Sequence, residues 1–125
     1  MSNEKFSVAK RIRSFGFAFE GIKTLFKEEH NSWIHLTATI AVIVFGFVVD
    51  ITLSDWILLA IAIGFVFSME IMNSAIENIA DFISPEKNEA IKKIKDLAAA
   101  GVLVSAITSI VIGCIIFIPK IIEKL

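Results

Sequence analysis

Three long apolar runs decide what this chain can fold into. The first extends from about Trp33 to Val49 and on to Ile51, the second from Trp56 to Ile79, and the third from Leu97 to Ile118. A hydrocarbon layer of about 30 Å needs about 20 helical residues to cross it. The second and third runs meet this length comfortably, and the first is short enough to thin the bilayer or lean on its neighbours. Of the 125 residues, 56% are hydrophobic, above the roughly 45–50% of ordinary soluble domains. The expectation is one all-α domain over residues 1–125, with helices spanning the membrane at about 33–51, 56–79 and 97–118. Pro119 follows the third run and is expected to end that helix.

The N-terminal stretch, about residues 5–29, has a different pattern. Ile12, Phe15, Phe19, Ile22 and Phe26 recur every three or four residues, among Lys10, Arg11, Arg13, Lys23 and Lys27. Such a basic amphipathic helix lies along a membrane surface. Lysine and arginine set the topology. Six precede the first span, none lies between Asp50 and Asp55, four lie in 82–96 and two follow Ile118. Positive charge favours the cytoplasmic side, so the N-terminus and the 82–96 segment are expected there, with the C-terminus outside. Ser84 and Pro85 suit an N-cap and a first helical residue, which predicts a short interfacial helix. Trp33 and Trp56 read as interface anchors, and Glu20 and Glu28 as solvated residues. The single cysteine, Cys114, allows no internal disulfide and no cysteine-based zinc site. The net charge of −1 is uninformative about partners, and no nucleic-acid partner is expected.

Against this apolar background stands a row of polar groups. Glu70, Asn73, Glu77 and Asp81 are spaced three, four and four apart. At about 100° per residue they fall within about 80° of one another on one helix face. Ionisable groups at membrane depth are costly and face a protein interior or a wet cavity, so they are candidates for function. By the predicted topology the stripe descends toward the cytoplasmic surface, where Glu29, Lys95 and Asp96 also lie. Magnesium prefers carboxylate oxygens and keeps water or phosphate as further ligands, and Glu29 with Glu77 suits that role. Lys95 suits a phosphate as a point charge. Glu70, deeper in the membrane, suits removal of a proton from an alcohol held in lipid. These are the parts of phosphoryl transfer, although the chain has neither a P-loop nor a kinase-type glycine-rich loop. The spacing leaves an ion or proton pathway equally open.

The stretch Glu70-Ile71-Met72-Asn73-Ser74-Ala75-Ile76-Glu77, followed by Asp81, resembles the core motif of the prokaryotic diacylglycerol kinase and undecaprenol kinase family. Lys95-Asp96-Leu97-Ala98-Ala99-Ala100-Gly101-Val102-Leu103 is similar to that family's second motif. The resemblance covers essentially the whole chain. It implies a homotrimeric helical bundle in the bacterial inner membrane, with cytoplasmic active sites shared between neighbouring subunits. It implies transfer of the γ-phosphate of MgATP directly to a lipid hydroxyl. Carried over by motif position, Glu70 is the general base, Glu29 and Glu77 hold magnesium, and Lys95 and Asp96 help hold ATP. Asn73 and Asp81 support the site, and Lys10 and Phe17 contribute to nucleotide and lipid binding. Asn31 and His35, with Glu70, resemble the lipid-binding pattern of undecaprenol kinases, where diacylglycerol-preferring relatives carry an acid at the position of His35. Undecaprenol is therefore favoured over diacylglycerol. Asn88 stands where the family often has a histidine, which leaves Glu86 and Asn88 the less secure nucleotide contacts. Two other classes of function compete with this reading. One is a non-catalytic assembly protein whose acids serve only packing. The other is an ion-coupled transporter, against which count the three spans and the lack of a broken-helix signal.

Overall fold

A computed structural model describes residues 5–125. Four helices follow one another: α1 Val8–Glu28, α2 His30–Val49, α3 Leu53–Ile83 and α4 Glu89–Lys124. Among the described residues there is no strand. The last three helices are long and apolar enough to cross a membrane. This is an all-helical membrane protein.

Local chemistry explains the breaks. Ser7 starts α1, its hydroxyl accepting from Lys10 N. Glu29 alone separates α1 from α2, with extended backbone at φ −109° and ψ 107°. Its N–H closes on Leu25 O at 2.8 Å, and its carbonyl accepts from Ser32 N at 3.1 Å, so the helices join with one residue out of register. Across this break the Trp33 indole donates to Phe26 O at 2.9 Å, and the two rings meet edge-on at 5.2 Å. Trp33 therefore ties α1 to α2, a role that its position at the head of an apolar run does not reveal.

The turn from α2 to α3 is tight. Asp50 takes a left-handed conformation at φ 59°, and Ile51 N reaches back to Gly46 O at 3.1 Å. Thr52 and Asp55 then cap each other reciprocally at the start of α3. A Cβ on Gly46 would lie 2.8 Å from the Trp56 ring and 3.1 Å from Ile51. The ring cannot swing aside as a flexible chain end would. Gly46→Val is expected to cost about 1–3 kcal/mol by overpacking, read as a lower unfolding temperature in micelles. An unchanged midpoint would show that the turn relaxes.

The α3–α4 pair forms the main body of the molecule. At the end holding the α2–α3 turn, Val49, Ile51 and Leu59 pack with Ile116 and Phe117. Ser109 bridges the pair by donating to Ala62 O at 3.2 Å.

Two expectations about helix ends are corrected. Residues 84–88 form no helix. Ser84 instead ends α3, its N–H bonding Ala80 O, and Asn88 starts α4 by accepting from Ile91 N at 2.9 Å. Asn88 also donates to Ser84 Oγ at 3.1 Å, so the asparagine that looked out of place is the cap. Nor does Pro119 stop the third span: α4 runs through it to Lys124. The ring's fixed φ is a helical one, but it removes one hydrogen bond and crowds the carbonyl four residues back. Burial of Ile116 and Phe117 on the turn before holds the path.

Candidate active site

The polar stripe of α3 grades from buried to wet. Glu70 is 1% exposed, Asn73 7%, Glu77 half-buried, and the Asp81 side chain 62% exposed. The helical spacing predicted a shared face. The structure adds that this face crosses from the apolar interior to the surface within three turns.

Two cavities meet the stripe. A cavity of about 430 Å³ gathers Glu29, Asn31, His35, Glu70, Asn73 and Glu77, with small and apolar residues of α4 closing its other side. Nearer the loop, a cleft of about 500 Å³ gathers Asp81, Glu86, Asn88, Lys95 and Asp96. The predicted site residues thus divide into an acidic cavity and a mixed-charge cleft. Lys10 and Phe17 line neither; they lie on α1, where Phe17 is exposed.

Within the acidic cavity, His35 Nε2 lies 2.9 Å from Glu70 Oε1. Thirty-five residues separate the two, so no local spacing announces the pair. Glu29 and Glu77 share a hydrogen bond. Burial, followed by that bond and the negative charge of Glu77, pushes the Glu29 carboxyl up to about 7 from its ordinary 4.5. Glu70 and Glu28 add further negative charge. A carboxyl beside like charges holds its proton more tightly unless a cation takes the proton's place. Asn73 Oδ1 is buried without a hydrogen-bond partner, an unused acceptor in the cavity wall. Ser32 Oγ is buried and unpartnered as well, and sequence reasoning did not single it out. Among the described residues no group of three or more His, Cys, Asp or Glu closes on a metal position. The acidic cavity offers a carboxyl pair instead.

In the cleft, Lys95 Nζ sits 2.6 Å from Asp81 Oδ1, and Lys92 Nζ sits 2.6 Å from Asp96 Oδ2. Asp81 therefore joins α3 to the start of α4 and holds Lys95 at the cleft. Glu28 is less idle than the sequence suggests, accepting from Asn78 Nδ2 at 3.1 Å and docking the end of α1 on α3.

The arrangement thus combines a buried carboxyl, a carboxyl pair suited to a divalent cation, and a lysine at a surface cleft. Comparison with known proteins shows the family. The profile of the prokaryotic diacylglycerol kinase family matches residues 16–117. The undecaprenol kinase of Bacillus subtilis (strain 168) is 38% identical over 109 residues, covering 87% of this chain and 89% of that protein. The diacylglycerol kinase of Escherichia coli (strain K12) is 27% identical over 116 residues, covering 93% and 95%. That of Haemophilus influenzae is 30% identical over 107 residues, covering 85% and 91%. With most of its length matched, the chain is a membrane lipid kinase that belongs to the prokaryotic diacylglycerol kinase family.

Proposed function

We propose that this kinase phosphorylates undecaprenol, with diacylglycerol as the second reading, and that Glu70 is its general base. One observation carries the assignment of the base: a carboxyl that is 1% exposed opens onto a polar cavity at membrane depth. Similarity to an undecaprenol kinase at 38% identity, against 27% and 30% for two diacylglycerol kinases, favours the polyprenol. In the proposed step Glu70 takes the proton of the lipid hydroxyl. The hydroxyl oxygen bonds the γ-phosphorus of ATP while the bond from that phosphorus to the ADP oxygen breaks. ATP is the phosphate donor that the kinase family implies.

Magnesium fits the site on the chemistry of its donors. Burial and the neighbouring Glu77 push the Glu29 carboxyl up to about 7, and a divalent cation would relieve the repulsion between the two acids. Glu29 and Glu77 would hold it, with phosphate oxygens and water as further ligands. When bound, the ion neutralises charge on the phosphates. Lys95 adds a point charge for the phosphates, held toward the cleft by Asp81. Asp96, Glu86 and Asn88 line the same cleft and complete the nucleotide's surroundings. Asn73 offers its unpartnered oxygen to a hydroxyl or a water. Asn31 and His35 stand where the lipid's polar end would enter.

We further propose a homotrimer with shared sites, oriented with its N-terminus and active sites in the cytoplasm and its C-terminus outside. In one chain the acidic cavity and the cleft are separate, and Lys10 and Phe17 reach neither. A neighbouring copy would bring these parts together. Mixing Glu70→Gln chains with Lys95→Ala chains, each strongly impaired alone, is expected to restore part of the activity. Mixtures as impaired as their components would place each site within one chain.

The substrate is tested by phosphate transfer from labelled MgATP in mixed micelles, offering undecaprenol and diacylglycerol separately. Undecaprenol is expected to turn over faster by about tenfold or more, the equivalent of 1.4 kcal/mol in the barrier. A preference for diacylglycerol would overturn the substrate assignment and leave the lipid kinase standing.

A further inference from the structure

We infer that His35 positions the base: its Nε2 holds Glu70 Oε1, so that Oε2 meets the hydroxyl of the lipid alcohol. The inference rests on the reading of Glu70 as general base.

The geometry is specific. Nε2 and Oε1 are 2.9 Å apart, and Glu70 is 1% exposed. A buried carboxylate without donors is costly, and the terminal torsion of a glutamate is broad and weakly restrained. A donor on one oxygen answers both problems: it stabilises the anion and stops the carboxylate from turning. Donation to a carboxylate also sets the tautomer of the neutral ring, with the proton on Nε2.

The ring is itself held. It meets Phe67 edge-on, with centroids 6.4 Å apart at 74°. His35 also lies on the wall between two spaces. It lines the polar cavity with Glu70 and Asn73, and it lines a deeper apolar cavity of about 310 Å³ with Val42, Leu59 and Val66. A hydroxyl reaching Glu70 from the apolar side passes this ring. His35 therefore controls which carboxylate oxygen the hydroxyl finds.

Three roles make different predictions for His35, and two variants separate them. His35→Gln keeps an amide donor near the Nε2 position, and His35→Leu removes it. Full-length protein in mixed micelles is assayed for kcat and for the KM of the lipid alcohol. The expected result is a fall in kcat of about a hundredfold for His35→Leu, the scale of a misplaced reacting group. KM for the lipid should stay within about twofold, and His35→Gln should recover most of the loss. In a Glu70→Gln background, His35→Leu should lower the residual rate no further, because residues acting as a unit are not additive. Raised KM with unchanged kcat would make His35 a lipid contact only and overturn the inference. Equal losses in the leucine and glutamine variants would make it a structural spacer and overturn it equally. A wild-type protein that transfers phosphate to neither lipid would remove the kinase reading beneath it, an outcome separate from both.

Discussion

Glu70→Gln is expected to lower phosphate transfer to the lipid by about 10²–10⁴-fold, the range that general-base catalysis supplies, while the helical bundle stays folded. Both halves of this expectation come from the site. Glutamine has the shape of glutamate and keeps an oxygen that can accept from His35 Nε2, so the α2–α3 contact at 2.9 Å survives. What disappears is the ability to take a proton. The charge removed lies in a nearly closed position, so its loss relieves desolvation rather than adding to it. Transfer in mixed micelles, with circular dichroism and thermal unfolding of the same samples, separates the two effects. Full activity in the glutamine variant would exclude Glu70 as the base, whatever the fold.

The second large effect concerns the carboxyl pair. Folding raises the Glu29 carboxyl from 4.5 to about 7. Between those values the folded chain holds a proton that the unfolded chain has released. Without a cation, the stability from this group is therefore full below about 4.5 and lost as pH rises through about 7. A divalent cation competes with the same proton, so the magnesium requirement of the wild type should fall by about tenfold per pH unit up to about 7 and then level off. Glu77→Gln would remove one of the two proposed ligands and the charge that helps hold the proton on Glu29. Its magnesium requirement should rise by about tenfold or more, and its pH dependence should move toward acid. Magnesium titrations of initial rate from pH 5.5 to 8.5 read both quantities. A requirement identical in the two proteins at every pH would rule out the pair as the metal's ligands.

Much of this architecture is legible in the chain because its strongest signals act locally. A run such as Leu97–Ile118 can be little else than a span, and a three–four spacing puts Glu70, Asn73 and Glu77 on one wall however the helices pack. Helix ends were read less well, because caps compete. Ser84 and Asn88 are both good cap residues, and the choice fell to the loop geometry in which one bonds the other. Pro119 marks a local preference to stop, yet α4 continues through it where Ile116 and Phe117 are buried on the preceding turn. The pairings that animate the site were invisible for a different reason. His35 with Glu70, Lys95 with Asp81 and Asn78 with Glu28 each depend on how far one helix slides along another, and periodicity carries no information about that offset.

The length of α4 has a consequence for the enzyme's surroundings. At about 1.5 Å per residue, its 36 residues reach about 54 Å, well beyond about 30 Å of hydrocarbon. The charged turns from Glu89 to Asp96 therefore extend out of the hydrocarbon, toward the headgroups and the water beyond. Anionic headgroups there create a negative surface potential that enriches divalent cations and depletes nucleotide anions within a Debye length. A kinase site at that level would meet nucleotide and divalent-cation concentrations that the bilayer has already adjusted in opposite directions. The headgroup composition of the membrane becomes a kinetic variable of the enzyme, independent of the lipid it phosphorylates.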